Sequence, residues 1–202
     1  MVKDPVLIVK RHEQICDAAI GLFSRRGFHQ TSVREIAEAA GLSIGTLYSY
    51  IKTKEDVLSL VYQRIFRRFQ ERVDEATEGI EDPVARLRAA LEATLTVNDE
   101  FREVVLLLYQ ESHALGKEVL ESLFDLDRQY ASYLGAILDR GVQRGVFRVR
   151  DTKLMAICLL FLSAVWALKG WNLREYGLPE VTDDLVAMVF RGILVPEASA
   201  RG

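Results

Sequence analysis

Along almost the whole chain, apolar residues recur at intervals of three and four, and no stretch alternates apolar and polar between hairpin turns. That period predicts an all-α fold of about nine helices. The first is expected over about Val9 to Arg26, with Ile15, Ala18, Ala19, Leu22 and Phe23 inward and Gly27 as its stop. Ser32-Val33-Arg34-Glu35 reads as a capping box and opens a second helix that ends at Gly41. Ser43 caps a short third helix reaching Tyr50. Thr53, with Asp56 behind it, opens a long fourth whose apolar face is Leu58, Val61, Tyr62, Ile65, Phe69 and Val73. Asp82-Pro83 starts a fifth helix ending near Thr96, a sixth covers about Asp99 to Leu115, and a seventh runs from Lys117 to about Gln143 before the Gly145 break. Asp151-Thr152 begins an eighth, and after a break at Gly177-Leu178-Pro179 a ninth runs from Thr182 to Val195.

The segment richest in chemistry is SVREIAEAAGLSIGTLYSYIKTKEDV, Ser32 to Val57. Ala37 is small enough for two helices to cross closely, Gly41 can take the positive φ of a tight turn, and Leu47 can anchor the following helix on Val33 and Ile36. That is helix-turn-helix spacing. It leaves Ile44, Gly45, Thr46, Tyr48 and Ser49 outside the core, a set that a buried helix would not choose and a DNA groove accommodates. Gly45 permits close approach to the DNA backbone, the hydroxyls of Ser43, Thr46, Tyr48 and Tyr50 can donate to phosphates, and Lys54 adds charge. Ile44 and the Thr46 methyl can touch thymine methyls, while Thr46 and Ser49 can bond base edges. Arg34 reads equally as a phosphate contact or a solvated charge.

Charge supports the division. The formal net charge is −3, yet residues 1–72 hold 12 Lys/Arg against 8 Asp/Glu, and the remainder holds 14 against 21. A basic N-terminal part and an acidic body suit a chain that presents one end to nucleic acid. The expected domains are residues 1–53, which carry the helix-turn-helix, and the helical residues 54–202. Cys16 and Cys158 lie in apolar-periodic segments and are expected to be buried free thiols, in keeping with a reducing cytoplasm. Val6 to Val9 is too short an apolar run for a secretory signal, so export is not expected. Leu154 to Leu168 is uncharged, but at 15 residues it falls short of the roughly 20 that a membrane span needs. No membrane partner is expected. Its apolar circumference lets one side face the body and the other a second copy of the chain, and Leu185, Met188, Val189, Ile193 and Leu194 add another stripe.

The run from about Ile15 to Leu60, with an apolar first helix ending RRGF and then TSVREIAEAAGLSIGTLYSYIKTKEDVL, resembles the DNA-binding domain of the TetR family of transcriptional regulators. It departs from the family pattern at Ile51, where phenylalanine is usual, and at His29, where an aromatic or small residue is common. The resemblance implies a ligand-responsive repressor that binds palindromic operator DNA as a homodimer. It puts Thr31, Ser32, Ser43, Gly45, Thr46, Tyr48, Tyr50 and Lys54 on DNA, an effector cavity among helices five to eight, and the dimer contact on the last two helices. Phe101, Tyr109, His113, Tyr130, Tyr133, Phe161 and Trp166 lie on helices that would surround that cavity, although aromatics at this spacing also make ordinary core. Trp166, Trp171 and the long apolar eighth helix resemble family members that sense fatty acyl-CoA or another large apolar effector. An activator of the same fold and a helical adaptor that binds no DNA stay open as alternatives. No enzyme is expected: His12, His29 and His113 are dispersed, and there is no Glu-x-x-His pair, P-loop, dinucleotide turn or GxSxG, hence no metal or cofactor site.

Overall fold

The computed structural model describes residues 4–111 and 116–196. Among them the elements run α1 (Pro5–Arg26), α2 (Val33–Ala39), α3 (Ile44–Tyr48), α4 (Lys54–Thr77), α5 (Pro83–Glu100), α6 (Arg102–Glu111), α7 (Lys117–Gln143), α8 (Thr152–Leu168) and α9 (Leu178–Ile193). The all-helical expectation is met. Within the described residues the only β pairing is an isolated antiparallel bridge between Phe147 and Leu194. None of their helices is long and apolar enough to cross a membrane.

Several boundaries differ from the periodicity, each for a local reason. α1 starts at Pro5 rather than Val9 because Asp4 caps it, its carboxylate accepting from Val6 N at 3.0 Å, with proline in the first turn. α9 starts at Leu178 rather than Thr182. Pro179 sits in the first turn, where a missing N–H breaks no intrahelical bond, so Gly177-Leu178-Pro179 is a helix start and not a break. α5 continues past Thr96 to Glu100, and α6 follows after the single residue Phe101.

The described residues form two compact units. The first comprises the chain up to Arg67 together with Glu103–Phe124. Its core is built from Ile15, Ala19, Leu22 and Phe23 of α1, Ile36 of α2, Leu47 of α3 and Val57, Leu58, Val61 and Tyr62 of α4, all buried. Cys16 is buried among them, and desolvation pushes its thiol up to about 11, so it is protonated and inert near neutral pH.

The second unit comprises Arg68–Arg102 and the described residues from Asp125 onward. α5 packs against both α8 and α9, with Leu87, Leu91, Leu95, Leu134, Leu138, Leu159, Val186 and Phe190 in one apolar cluster. α8 has two faces. Ala156, Leu159, Ser163, Ala164, Trp166 and Ala167 face inward, while Leu154, Ile157, Cys158 and Phe161 are exposed. The expectation of two buried cysteines is thus corrected: Cys158 lies on the outer face, one position from Ile157. α9 also divides its stripe, because Leu185, Val189 and Ile193 belong to the core whereas Met188 and Leu194 stay at the surface.

The segment between α7 and α8 is fastened to the end of α9 by Arg148 N donating to Ile193 O at 2.7 Å and Val195 N donating to Val146 O at 3.0 Å. This places the buried Phe147 ring directly over Gly141 of α7, where a Cβ would come within 1.9 Å of a ring carbon. Gly135 lies in the same helix, yet a Cβ there would meet no atom within 4 Å. Gly141→Ala is therefore expected to destabilise by about 1 to 3 kcal/mol through overpacking, while Gly135→Ala is neutral or stabilising by roughly 0.5 to 1 kcal/mol. Thermal melts of both variants check this; equal shifts would contradict it.

Candidate nucleic-acid interface

The helix-turn-helix unit assembles from local rules. Gly27 leaves α1 with φ +79°, and the Thr31 hydroxyl donates to Gly27 O at 2.8 Å, closing the turn into α2. The Ser32–Glu35 capping box is complete: Glu35 N donates to Ser32 Oγ at 3.2 Å and Ser32 N donates to Glu35 Oε2 at 2.8 Å. Arg26 reaches the other Glu35 oxygen at 2.7 Å. Backbone and side-chain bonds from Ser32, then Arg26, hold the Glu35 carboxyl below the usual carboxylate range. A depressed folded pKa stabilises above the unfolded value, and that contribution fades as pH falls through the lower folded one.

Gly41, at φ +66°, turns the chain between α2 and α3, and Leu42 N donates back to Ala37 O at 2.9 Å. Ser43 Oγ accepts from Thr46 N at 3.0 Å and lies 2.8 Å from Thr46 Oγ1. Leu47 is completely buried, as is Ile36. The opposite side of α3 faces out: Ile44 and Tyr48 are 39% and 52% exposed, and Ser43, Gly45 and Ser49 are exposed too. Space beside Gly45 is open, with no atom within 4 Å of a Cβ built there. Thr46 is half-buried, and Ser49 Oγ donates to Thr46 O at 2.7 Å. Ser32 and Arg34 are exposed at the start of α2.

Three of the expected DNA residues are also engaged inside the head. Thr31 is 2% exposed and its hydroxyl serves the α1–α2 turn, so its side chain does not reach the surface. Tyr50 is half-buried, its ring meeting His12 edge-on at 6.1 Å. Lys54 Nζ donates to Phe28 O at 2.8 Å and His29 O at 3.4 Å, and lies 4.4 Å from the Phe28 ring centroid. The lysine therefore ties the start of α4 to the α1–α2 turn. No local pattern marks this contact, since the partner carbonyls lie 25 and 26 residues away.

The expected effector residues divide between the two units. Tyr109 lies in the first unit and is 46% exposed; His113 lies outside the described residues. The other five belong to the second unit. Phe101 is half-buried between α5 and α6, and Phe161 points outward from α8 at 62% exposure, away from that unit's interior. Trp166 is buried, its Nε1 donating to Asp99 Oδ1 at 2.7 Å with the Arg102 guanidinium 4.9 Å from its ring. Tyr130 and Tyr133 are half-buried, stack at 6.2 Å, and bond Thr94 and Thr77 through their hydroxyls. Burial raises the Tyr130 phenol well above its ordinary range. No local pattern marks Thr77, Thr94, Asp99 or Arg86 as partners, because each bonds a residue 36 to 67 positions away.

A buried-turn helix pair whose second helix exposes Ile44, Gly45, Tyr48 and Ser49 defines a helix-turn-helix DNA-binding regulator. The chain belongs to the TetR family: the family model described as "Bacterial regulatory proteins, tetR family" matches residues 15–61, and "Tetracyclin repressor-like, C-terminal domain" matches residues 80–193. It is 28% identical over 185 residues to the HTH-type transcriptional regulator HbdR of Aromatoleum sp. (strain CIB), covering 91% of this chain and 81% of that protein. It is 27% identical to the fatty acid metabolism regulator protein of Bacillus subtilis (strain 168), covering 91% and 95%. The crystal structure of AibR in complex with isovaleryl coenzyme A and operator DNA superimposes with a TM-score of 0.76 at 25% identity, covering 90% of this chain and 99% of AibR.

Proposed function

We propose that the protein is a repressor that binds a palindromic operator as a homodimer and is released by an apolar effector of the acyl-CoA class. The observation that carries the DNA reading is the outward face of α3, which stands on the buried Leu47. Tyr48 would position the head on phosphate, and Ile44, Thr46 and Ser49 would read bases, with Ser32, Arg34, Ser43, Gly45, Tyr50 and Lys54 at the periphery. Thr31 would take part through the turn it closes.

The dimer reading rests on the outer faces of α8 and α9. Leu154, Phe161 and Met188 are 59%, 62% and 54% exposed, large apolar surfaces that an isologous four-helix contact would cover. The effector reading rests on the relatives, one of which is a fatty acid metabolism regulator and another of which was crystallised with isovaleryl coenzyme A. α4 is the natural lever, being one continuous helix with its first turns in the first unit and its last turns in the second. An effector that prefers a shifted arrangement of those last turns would disfavour DNA, and by linkage DNA would weaken the effector by the same factor.

Tyr48→Ala is expected to weaken binding to all duplexes alike, whereas Thr46→Ala changes preference at particular bases by about 1 to 3 kcal/mol. Selection from a random duplex library reads both effects; two variants with wild-type affinity and preference would reject α3 as the reading helix. Phe161→Arg, which places a charge on an already exposed position, is expected to split the dimer while leaving the protomer folded. Sedimentation of wild type and variant checks this, and a monomeric wild type would overturn it. Titration of acyl-CoAs of several chain lengths onto the protein–duplex complex is expected to release DNA. Failure of every chain length would remove that effector class and leave the repressor reading intact.

A further inference from the structure

The last turn of α4 is held by a directed chain of hydrogen bonds within the second unit. The Thr77 hydroxyl donates to Val73 O at 2.7 Å, which uses its single proton. Its 2.6 Å bond to Tyr133 must then be donated by the tyrosine hydroxyl. The Tyr133 oxygen in turn accepts from Arg86 Nη2 at 3.4 Å, and Arg86 Nη1 donates to Ile80 O, in the turn that follows α4, at 3.3 Å. Thus α7 and α5 grip the end of α4 at two points, Thr77 and Ile80.

A second chain has the same form and different ends. The Thr94 hydroxyl donates to Ala90 O at 2.6 Å, so its short bond to Tyr130 is donated by Tyr130. That chain joins α7 to α5 and does not hold the end of α4. Tyr130 and Tyr133 stack at 6.2 Å with rings 9° apart, and the Tyr130 ring also meets Phe69 of α4 at 6.3 Å, so the two share surroundings and differ in the helix that each hydroxyl bonds.

We infer that the Tyr133 hydroxyl is a positioning group for operator binding, fixing through Thr77 the direction of the helix that begins at the reading head. This rests on the proposed dimeric repressor: one head would bind a half-site regardless of the clamp, whereas two heads need a defined separation. Tyr133→Phe removes only the hydroxyl. It is expected to lower affinity for a palindrome selected by the wild type by about five- to tenfold, roughly the worth of one hydrogen bond, with affinity for a duplex carrying a single half-site unchanged. Thr77→Val is expected to do the same, and the double variant to add nothing further. Tyr130→Phe serves as the control, lowering the melting temperature without moving the ratio of palindrome to half-site affinity. Equal palindrome affinity in Tyr133→Phe and wild type, a parallel loss on both duplexes, or an equal ratio change in Tyr130→Phe would each overturn the inference. A wild type that prefers no palindrome would overturn the repressor reading itself, and the two failures are told apart by that first measurement.

Discussion

What the head can do depends on the burial of one side chain, Leu47. α3 contains five residues, far below the length at which an isolated helix is stable in water, so it exists only because it is held. Leu47 holds it from inside, Ser43 caps its start, and Ile51 N donates to Leu47 O at 3.2 Å where the helix gives way to the next turn. With that anchor inward, helical geometry turns Gly45 and Ser49 to the far side and leaves Ile44 and Tyr48 on its flanks, partly exposed. Loss of the anchor would disperse the reading surface before any of its own residues changed.

The head was legible because its rules are local. The capping boxes at Ser32 and Thr53, the positive-φ Gly41 and the Ala37–Leu47 spacing all act within a few residues, and the structure follows each of them. What escaped was long-range or a matter of facing. Tyr133 and Thr77 are 56 residues apart, and Tyr130 and Thr94 are 36 apart, so no local rule could name these partners. Pro179 signalled an end to helical structure and marks a beginning, since proline suits a first turn as well as a boundary.

α8 shows the same limit. Its uninterrupted apolar character announced two covered faces, but not which residues lie on each. The structure assigns Leu154, Ile157, Cys158 and Phe161 to the outer side and Leu159, Ser163 and Trp166 to the inner. Its inner polar groups are matched: Asn98 Nδ2 donates to Ser163 O at 2.8 Å, and Trp166 Nε1 finds Asp99. Phe161 thus moves from the effector region to the surface that a second copy would cover, a consequence of rotation about one helix that composition cannot convey.

In the proposed repressor α3 reads DNA while the outer faces of α8 and α9 join two chains. Amide hydrogen exchange, compared between the free protein and its complex with a selected duplex, tests it most directly. Protection on adding DNA is predicted across residues 43–50 and the start of α2, with the α8 and α9 amides unchanged. Protection centred on α8 and α9 with residues 43–50 unaffected would contradict the account.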